Sequence, residues 1–288
     1  MLAALIFVLA RATGDPVQMF MPLDASEEVQ EAVRRSLGLD RPVLEQFVSY
    51  IFNLARGDFG LSVKYRVPAA ELFWQRLPNT LILLVPAFII AKVLGVVAGV
   101  VAASWRGHWV AGLLGFSAVL GLAVPAFWIA VMLMLVFSVN LGWLPAARMG
   151  GPQSFILPLI AITVPDIAET MRLTRSSMLE QLRKEYTKLA RVKGVSEGNI
   201  VWRHALKNSL TAVIAASGAS FALLLTGSIL IENVFAWPGT GRLLWEGIQN
   251  RDFPVVQALI ILQGLALVLM NLAADLLHAY VDPRVRLR

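Results

Sequence analysis

Long apolar stretches, separated by short polar segments, organise this chain. A helix needs about 20 predominantly apolar residues to cross the hydrocarbon core of a bilayer. Four stretches meet that length, at 79–103, 109–139, 210–231 and 254–280. A fifth, 154–171, contains prolines and acidic residues, and we count it as a span because polar groups are tolerated inside a helical bundle. The pattern predicts an all-α polytopic membrane protein with about five full transmembrane helices.

The residues before the first full span divide into two parts. The opening MLAALIFVLA is apolar but too short to cross a membrane before Arg11, and it lacks the basic start of a signal peptide. We interpret 1–14 as a partial first span, shortened as a truncated start would leave it. Residues 15–78 are polar with scattered prolines, and we expect a small extracytoplasmic insertion there. Residues 79–288 then form one helical membrane domain.

Composition supports a membrane protein and excludes several classes of enzyme. The chain is 57% hydrophobic and 15% charged, with a mean hydropathy of +0.68, which is too apolar for a soluble domain. It has no cysteine, and its three histidines lie far apart in the sequence, so a thiolate nucleophile and a cysteine metal site are excluded. The sequence contains no Walker A, zinc-protease or serine-hydrolase motif. It therefore predicts no catalytic residue, metal site or cofactor of its own.

Charge in the connecting segments predicts the orientation. The connection 169–209 has nine basic and four acidic residues, whereas 15–78 has seven basic and nine acidic residues. An excess of Lys and Arg marks the cytoplasmic side, so we place 169–209 and the C-terminus on the cytoplasmic side of the membrane and 15–78 on the opposite side. Five crossings from an external 15–78 also bring the C-terminus inside. The net charge of +6 thus reflects topology and not nucleic-acid binding.

The polar segment 185–210 has the pattern of a helical hairpin. A broken apolar stripe predicts a helix over 172–191, and Gly194 after the basic RVK is typical of a helix stop. Ser196 is a typical N-cap for a second helix that runs through Trp202. The basic residues alone would also suit a topology signal attracted to anionic lipid, but a helix lying on lipid is not interrupted in this way. We therefore favour a rigid knob that fits a groove on another protein.

The same segment carries a family resemblance. EYTKLARVKGVSEGNIVWRHALKNSL (185–210) closely resembles the cytoplasmic signature of permease subunits in the dipeptide and oligopeptide family of ABC importers. It is similar in spacing to the general importer motif E-A-A, three residues, Gly, nine residues, I-x-L-P, with Gly194 on the glycine. The glutamate of the triplet is absent, and Lys207 stands where a proline is general. Four further segments resemble the family, at 56–81, 124–145, 171–182 and 232–257.

The resemblance implies a type I ABC importer permease bundle with a cytoplasmic coupling loop at 172–209. In the family this loop is the coupling helix, which docks into a cleft of the cytoplasmic ATPase. By resemblance, that role falls on Glu185, Tyr186, Ala190, Arg191, Gly194, Val195 and Ser196.

The resemblance also implies partners and a class of cargo. The expected partners are a homologous second permease, two cytoplasmic ATPase subunits that bind ATP and Mg²⁺, an extracytoplasmic binding protein and membrane lipid. The expected cargo is a dipeptide, an oligopeptide or a similar solute, with glutathione or a nickel complex as the alternative. A secondary transporter is less favoured, because that class carries inverted repeats and we find no repeat in this sequence.

Charged residues inside the predicted spans are candidates for the translocation pathway. Lys92 lies 13 residues from Asn79, and Asp166 lies 12 residues from Ser154, so both are about 18–20 Å deep at 1.5 Å per residue. Equal depth permits an ion pair, which would either join two spans or contact the ends of the substrate. Lys92 could instead extend toward the membrane surface. Glu169 is a further acidic residue at a position expected to be apolar, and these alternatives stay open.

Small residues and an external loop complete the candidates. Two small-xxx-small pairs, Gly95 with Gly99 and Ala215 with Ala219, are typical of close helix packing.

The sequence WPGTG predicts a sharp turn in the external loop 232–253. That loop is either a packed re-entrant element, which we favour, or a gate and docking face for the binding protein. Its candidate residues are Glu232, Trp237, Arg242 and Asp252.

Overall fold

The computed structural model describes residues 40–147 and 149–281, with short pieces at 3–5, 7–8, 31 and 35. Most of the predicted partial span 1–14, most of 15–39 and the C-terminal tail 282–288 lie outside the described residues.

Helices account for the apolar stretches, which confirms the predicted all-α class. In chain order they are α1 (Val43–Ala55), α2 (Ala69–Ser104), α3 (Trp109–Ala123), α4 (Ala126–Leu133), α5 (Ile156–Arg183), α6 (Glu185–Val192), α7 (Glu197–Asn199), α8 (Leu206–Val234), α9 (Thr240–Gln249) and α10 (Phe253–Val281). Wider π-helical turns extend α4 over Met134–Asn140 and join α7 to α8 over Ile200–Ala205, and a 3-10 turn at Pro152–Phe155 precedes α5.

Among the described residues, four helical segments are long and apolar enough to cross a membrane. They are Ala69–Ser104, Pro152–Arg183, Glu197–Val234 and Phe253–Ala274. The predicted single span 109–139 is instead two helices bent by 98°. Val124 is extended at the break (φ −92°, ψ 122°), because the residue before Pro125 is disfavoured in the helical region. The number of spans reaches the predicted five only if this bent pair counts as one.

The chain divides into two compact units. The first comprises Met1–Pro78 and Gly239–Ala266. Within it, the buried Asp252 carboxylate accepts hydrogen bonds from Ser62 Oγ (2.5 Å) and from the Lys64 backbone N–H (3.1 Å). A single antiparallel bridge, Leu61 to Pro68, closes the segment that supplies these donors. These contacts fix a non-helical segment onto the residues that precede α10.

The second unit comprises Asn79–Pro238 and Leu267–Arg288. Its core contains buried residues of α2, α4, α5 and α8, among them Leu83, Ala130, Leu157 and Phe221. Aliphatic and aromatic side chains from four helices thus form one continuous apolar cluster, which fixes the frame that holds the polar groups described below.

Glycines allow close approach between helices of the second unit. A Cβ added at Gly95 would lie 2.6 Å from Thr170 Cβ, and one added at Gly99 would lie 2.5 Å from Thr174 Cβ. The packing role predicted for this pair is confirmed. Ala215 and Ala219 are both exposed in this chain, so their packing role stays a prediction, and Gly218 makes the close contact on that helix.

Candidate functional site

The predicted helix 172–191 is interrupted, and the interruption creates a separate hairpin. Helix α5 ends before Lys184, whose backbone is extended (φ −68°, ψ 154°). Tyr186 Oη donates a hydrogen bond to Gln181 Oε1 (2.9 Å), and Thr187 Oγ1 donates one to the Gln181 carbonyl (2.8 Å). These bonds tie the start of α6 to the end of α5. Helix α6 therefore leaves α5 at a new angle while its first turn stays anchored.

Gly194 ends α6 as the sequence predicts. Its φ of +78° lies in the left-handed region, where glycine carries no Cβ penalty. The Gly194 N–H bonds to the Arg191 carbonyl (3.0 Å), and the Val195 N–H bonds to the Ala190 carbonyl (3.1 Å). This pair of bonds is the Schellman arrangement that satisfies the last carbonyls of a helix. The bend therefore has a defined geometry.

An ion pair that was not predicted from the sequence closes the hairpin across this bend. Arg191 Nε lies 2.6 Å from Glu197 Oε1, and Nη2 lies 3.2 Å from Oε2, which is the two-point geometry preferred by guanidinium and carboxylate. This hydrogen bonding raises the pKa of Arg191. The predicted role of Ser196 holds only for the backbone, because Ser196 is at the N-cap position but its side chain makes no cap hydrogen bond.

The surface of the hairpin is apolar and basic. Val192 is 85% exposed, and Leu189 is 54% exposed. Lys188 and Lys193 are exposed beside them. Of the seven predicted coupling residues, Ala190 and Val195 are half-buried, and the other five are exposed. Because aliphatic side chains at the tip of a polar loop gain from burial, this surface is suited to a groove on another protein.

Lys92 and Asp166 lie together in a polar cluster inside the second unit. Lys92 Nζ donates hydrogen bonds to Asp166 Oδ1 (2.8 Å), Thr170 Oγ1 (3.0 Å) and Ser220 Oγ (2.7 Å). Ser220 Oγ in turn donates to Asp166 Oδ1 (2.5 Å). The ammonium group thus uses its three donors within the chain. Thr170 and Ser220 were not predicted from the sequence, since isolated hydroxyl residues in apolar helices carry little signal.

The cluster joins three long helices. Lys92 belongs to α2, Asp166 to α5 and Ser220 to α8. The side chains of Lys92 and Asp166 are 17% and 4% exposed, so the pair is shielded from water. Glu169 lies one turn further along α5, is exposed, and lines a cavity of about 230 Å³ together with Asp166.

In the predicted external loop 232–253, Glu232 and Trp237 are fully buried, and Glu232 lies in the last turn of α8. Trp237 Nε1 donates to the Asn79 carbonyl (2.7 Å), and Thr80 Oγ1 donates to Glu232 Oε1 (2.8 Å). The indole ring also contacts the Phe155 ring edge-to-face, with centroids 4.7 Å apart. These two residues fit the packing interpretation, since neither presents its side chain at the surface of the chain.

Arg242 of the same predicted loop also bonds within its own unit. Its Nε lies 2.9 Å from Glu246 Oε1, and Tyr65 Oη donates to Glu246 Oε2 (2.9 Å). The buried Asp252 takes part in the contacts with Ser62 and Lys64 described above. Burial, followed by the hydrogen bond to Glu246, raises the pKa of Tyr65 above its usual value of 10.0.

The Tyr65→Phe variant is expected to remove a late-ionising phenol from the alkaline titration. A phenol whose pKa is higher in the folded than in the unfolded state stabilises the native state. This contribution is fully present below pH 10, and it disappears as the pH rises through the pKa of the folded state. Spectrophotometric titration of the native protein and the variant measures the difference. If the missing phenol in Tyr65→Phe is one that ionises at or below pH 10, the assigned hydrogen bond is contradicted.

Comparison with known proteins identifies the family. Residues 95–287 match the family described as binding-protein-dependent transport system inner membrane component. The chain is 42% identical over 273 residues to a glutathione transport system permease protein of Escherichia coli K12, covering 95% of this chain and 89% of that protein. The corresponding protein of Shigella boydii is 41% identical over the same length.

Solved structures show the same fold. The methionine ABC transporter MetNI in an inward-facing conformation matches with a TM-score of 0.64 at 16% identity, covering 73% of this chain and 96% of the matched chain. A second inward-facing crystal form of that transporter gives a TM-score of 0.61 at 18% identity. The chain therefore belongs to the family of binding-protein-dependent transport system inner membrane components, as a multi-pass, non-enzymatic permease subunit of an ABC importer that works with ATPase and binding-protein partners.

Proposed function

We propose that this chain forms half of the translocation path of an ATP-driven importer of short peptide-like solutes, with glutathione as the favoured cargo. The 42% identity over 95% of the chain to a glutathione permease supports that cargo, and it favours glutathione over the broader dipeptide and oligopeptide assignment. The other half of the path is a homologous second permease, and two ATPase subunits supply the energy.

The two hydrogen bonds of the Tyr186 hydroxyl are the observation that best supports coupling between the hairpin and the membrane helices. Its hydroxyl donates to Gln181 of α5 and accepts a hydrogen bond from Asn208 Nδ2 of α8 (3.1 Å). The first turn of α6 is thereby clamped to both helices that flank the hairpin. A displacement of α6 by an ATPase would move α5 and α8 together. These two helices also carry Asp166 and Ser220 of the polar cluster, so the movement reaches the membrane interior.

This mechanism requires a defined orientation. The hairpin and the C-terminus face the cytoplasm, where the ATPase subunits are, and 15–78 faces the extracytoplasmic binding protein. The excess of basic residues in 169–209 supports this orientation. Closure of the ATPase pair on ATP would then turn the permease pair from inward-open to outward-open.

The Val192→Asp variant is expected to lose the ATPase subunits. Val192 is 85% exposed, so the substitution leaves the fold of the chain intact, but docking would bury an unpaired carboxylate. Recovery of ATPase subunits with the affinity-purified permease should fall by at least about tenfold, since each tenfold step needs only about 1.4 kcal/mol.

Leu61→Asp is the matched control for this test. Leu61 is an exposed aliphatic residue in the region that we place outside the cell. The Leu61→Asp variant should leave recovery of the ATPase subunits unchanged. Equal recovery with Val192→Asp and with the unmodified chain would contradict docking through this face.

Uptake into proteoliposomes tests the cargo. The complete transporter is reconstituted with its binding protein and supplied with ATP, and accumulation of labelled glutathione and of a labelled dipeptide is measured. The proposal predicts ATP-dependent accumulation of glutathione that stops without ATP. Accumulation driven by an ion gradient without ATP, or accumulation of the dipeptide alone, would contradict it.

A further inference from the structure

A residue that lines the cavity beside the polar cluster carries a buried carboxylate oxygen without a hydrogen-bond partner among the described residues. Asp166 is 4% exposed, and its Oδ1 accepts the bonds from Lys92 and Ser220. Its Oδ2 is buried and has no hydrogen-bond partner among the described residues. Leaving a buried charged oxygen without a donor is strongly unfavourable. Asp166 is also one of the residues that line the 230 Å³ cavity, so the unpaired oxygen belongs to a side chain in the wall of this cavity.

Glu169 adds a second carboxylate to the same cavity. It lies three residues after Asp166, so both side chains are on neighbouring faces of one helix turn. Glu169 is exposed in this chain although it belongs to a membrane-spanning helix. A charged residue in a span almost always faces a bundle interior or a water-filled cavity. The position of this charged residue at the end of the predicted span therefore favours a polar path on this side of α5.

The described residues that line the cavity carry negative charges and no positive charge. Asp166 and Glu169 are its acidic residues, and Lys92 offsets one of the two charges from the cluster behind it. Among the described residues, no Lys or Arg lines this cavity. Arg172 and Arg175 line a separate cavity further along α5. One negative charge and one unpaired acceptor oxygen thus remain, in surroundings that are otherwise mainly aliphatic.

We propose that this cavity binds the protonated primary amino group of the passing solute, with Asp166 Oδ2 and the Glu169 carboxylate as acceptors. An ammonium group supplies three donors and one positive charge, which match the unpaired oxygen and the uncompensated carboxylate. The inference rests on the proposed function in one respect, because it assigns the ammonium group to a short peptide. It adds a binding position within the path, which the proposed function does not specify.

A single introduced cysteine tests this site directly. The chain has no native cysteine, and Leu223 lines the cavity and is 66% exposed. In the assembled, reconstituted transporter, Leu223→Cys is labelled with a methanethiosulfonate reagent and the modified peptide is quantified by mass spectrometry. Alanyl-alaninamide, which carries a free ammonium group, should protect this cysteine from labelling. Its N-acetyl derivative should give no protection.

Two glutamate-to-glutamine substitutions on α5 distinguish a loss of binding at the cavity from a general effect on the transporter. Added to Leu223→Cys, Glu169→Gln should weaken protection by at least about tenfold, because hydrogen bonds to charged groups are the strong ones. Glu180→Gln is the matched control, since Glu180 is an exposed residue of α5 that pairs with Lys184 outside the cavity. It should leave protection unchanged.

Three results would overturn the proposal: equal protection by both compounds, protection that survives Glu169→Gln, or a cysteine that is never labelled. The last result would mean that the partner permease fills the cavity. The labelling does not depend on transport. If glutathione is not taken up but alanyl-alaninamide still protects Leu223→Cys, the proposed cargo is rejected and the binding site is retained. If glutathione is taken up but the cysteine is not protected, only the binding site is rejected.

Discussion

Lys92→Gln is expected to prevent recovery of a folded, assembled transporter. The substitution removes the cation from Asp166, whose side chain is 4% exposed, and leaves a buried carboxylate without compensation. Removing one partner of a buried ion pair costs about 3–5 kcal/mol, a large part of a typical stability of about 5–15 kcal/mol. The yield of monodisperse complex after solubilisation and its thermal unfolding temperature measure the effect.

The double variant Lys92→Gln with Asp166→Asn should recover most of this loss. Neutral amides can still bond Thr170 and Ser220, and no uncompensated charge remains. Lys184→Gln is the control, because Lys184 forms an exposed pair with Glu180, and such pairs contribute at most about 1 kcal/mol. A double variant as unstable as Lys92→Gln alone would show that the pair does not act as a unit.

Gly99→Leu is the second substitution with a large expected effect. Even the first added carbon would lie 2.5 Å from Thr174 Cβ and 2.7 Å from the Met171 carbonyl oxygen. The carbonyl belongs to the backbone of α5 and cannot rotate away, so α2 and α5 must separate. Overpacking of this kind costs about 1–3 kcal/mol and occasionally more, and we expect a loss at or above that range.

Gly112→Leu is the matched control for this substitution. Gly112 is also a glycine within a helix, and nothing lies within 4 Å of its added Cβ. Thermal unfolding of the two purified variants should therefore differ strongly, with Gly99→Leu unfolding at the lower temperature. Similar unfolding temperatures would contradict the close contact between α2 and α5.

Much of the fold can be predicted from hydrophobic length alone. Apolar runs of more than about 20 residues can satisfy their backbone inside lipid only as helices or closed barrels, so the all-α class follows directly. The break at Lys184 could not be predicted in this way. Lys184 has no intrinsic helix-breaking property, and the break depends on hydrogen bonds that Tyr186 and Thr187 make to Gln181.

The candidate sites likewise contain some features that the sequence predicts and others that it does not. The stop at Gly194 is a local property of the sequence and could be predicted. The proximity of Lys92 and Asp166 was suggested by equal depth in the membrane. The partners Thr170 and Ser220 were missed, because the rotation of each helix about its axis decides which hydroxyl faces the ammonium group. That rotation is fixed by packing between helices and not by the residues themselves.

Crosslinking from the hairpin tests the coupling mechanism most directly. Val192→Cys provides a single thiol in this chain, which has no native cysteine. The thiol is loaded with a photoactivatable reagent in inverted membrane vesicles that contain the whole transporter, and the adducts are identified by mass spectrometry. The account predicts an adduct between Val192→Cys and an ATPase subunit. An absence of adducts with the ATPase, or reaction of the thiol in intact cells with a reagent that cannot cross the membrane, would contradict it.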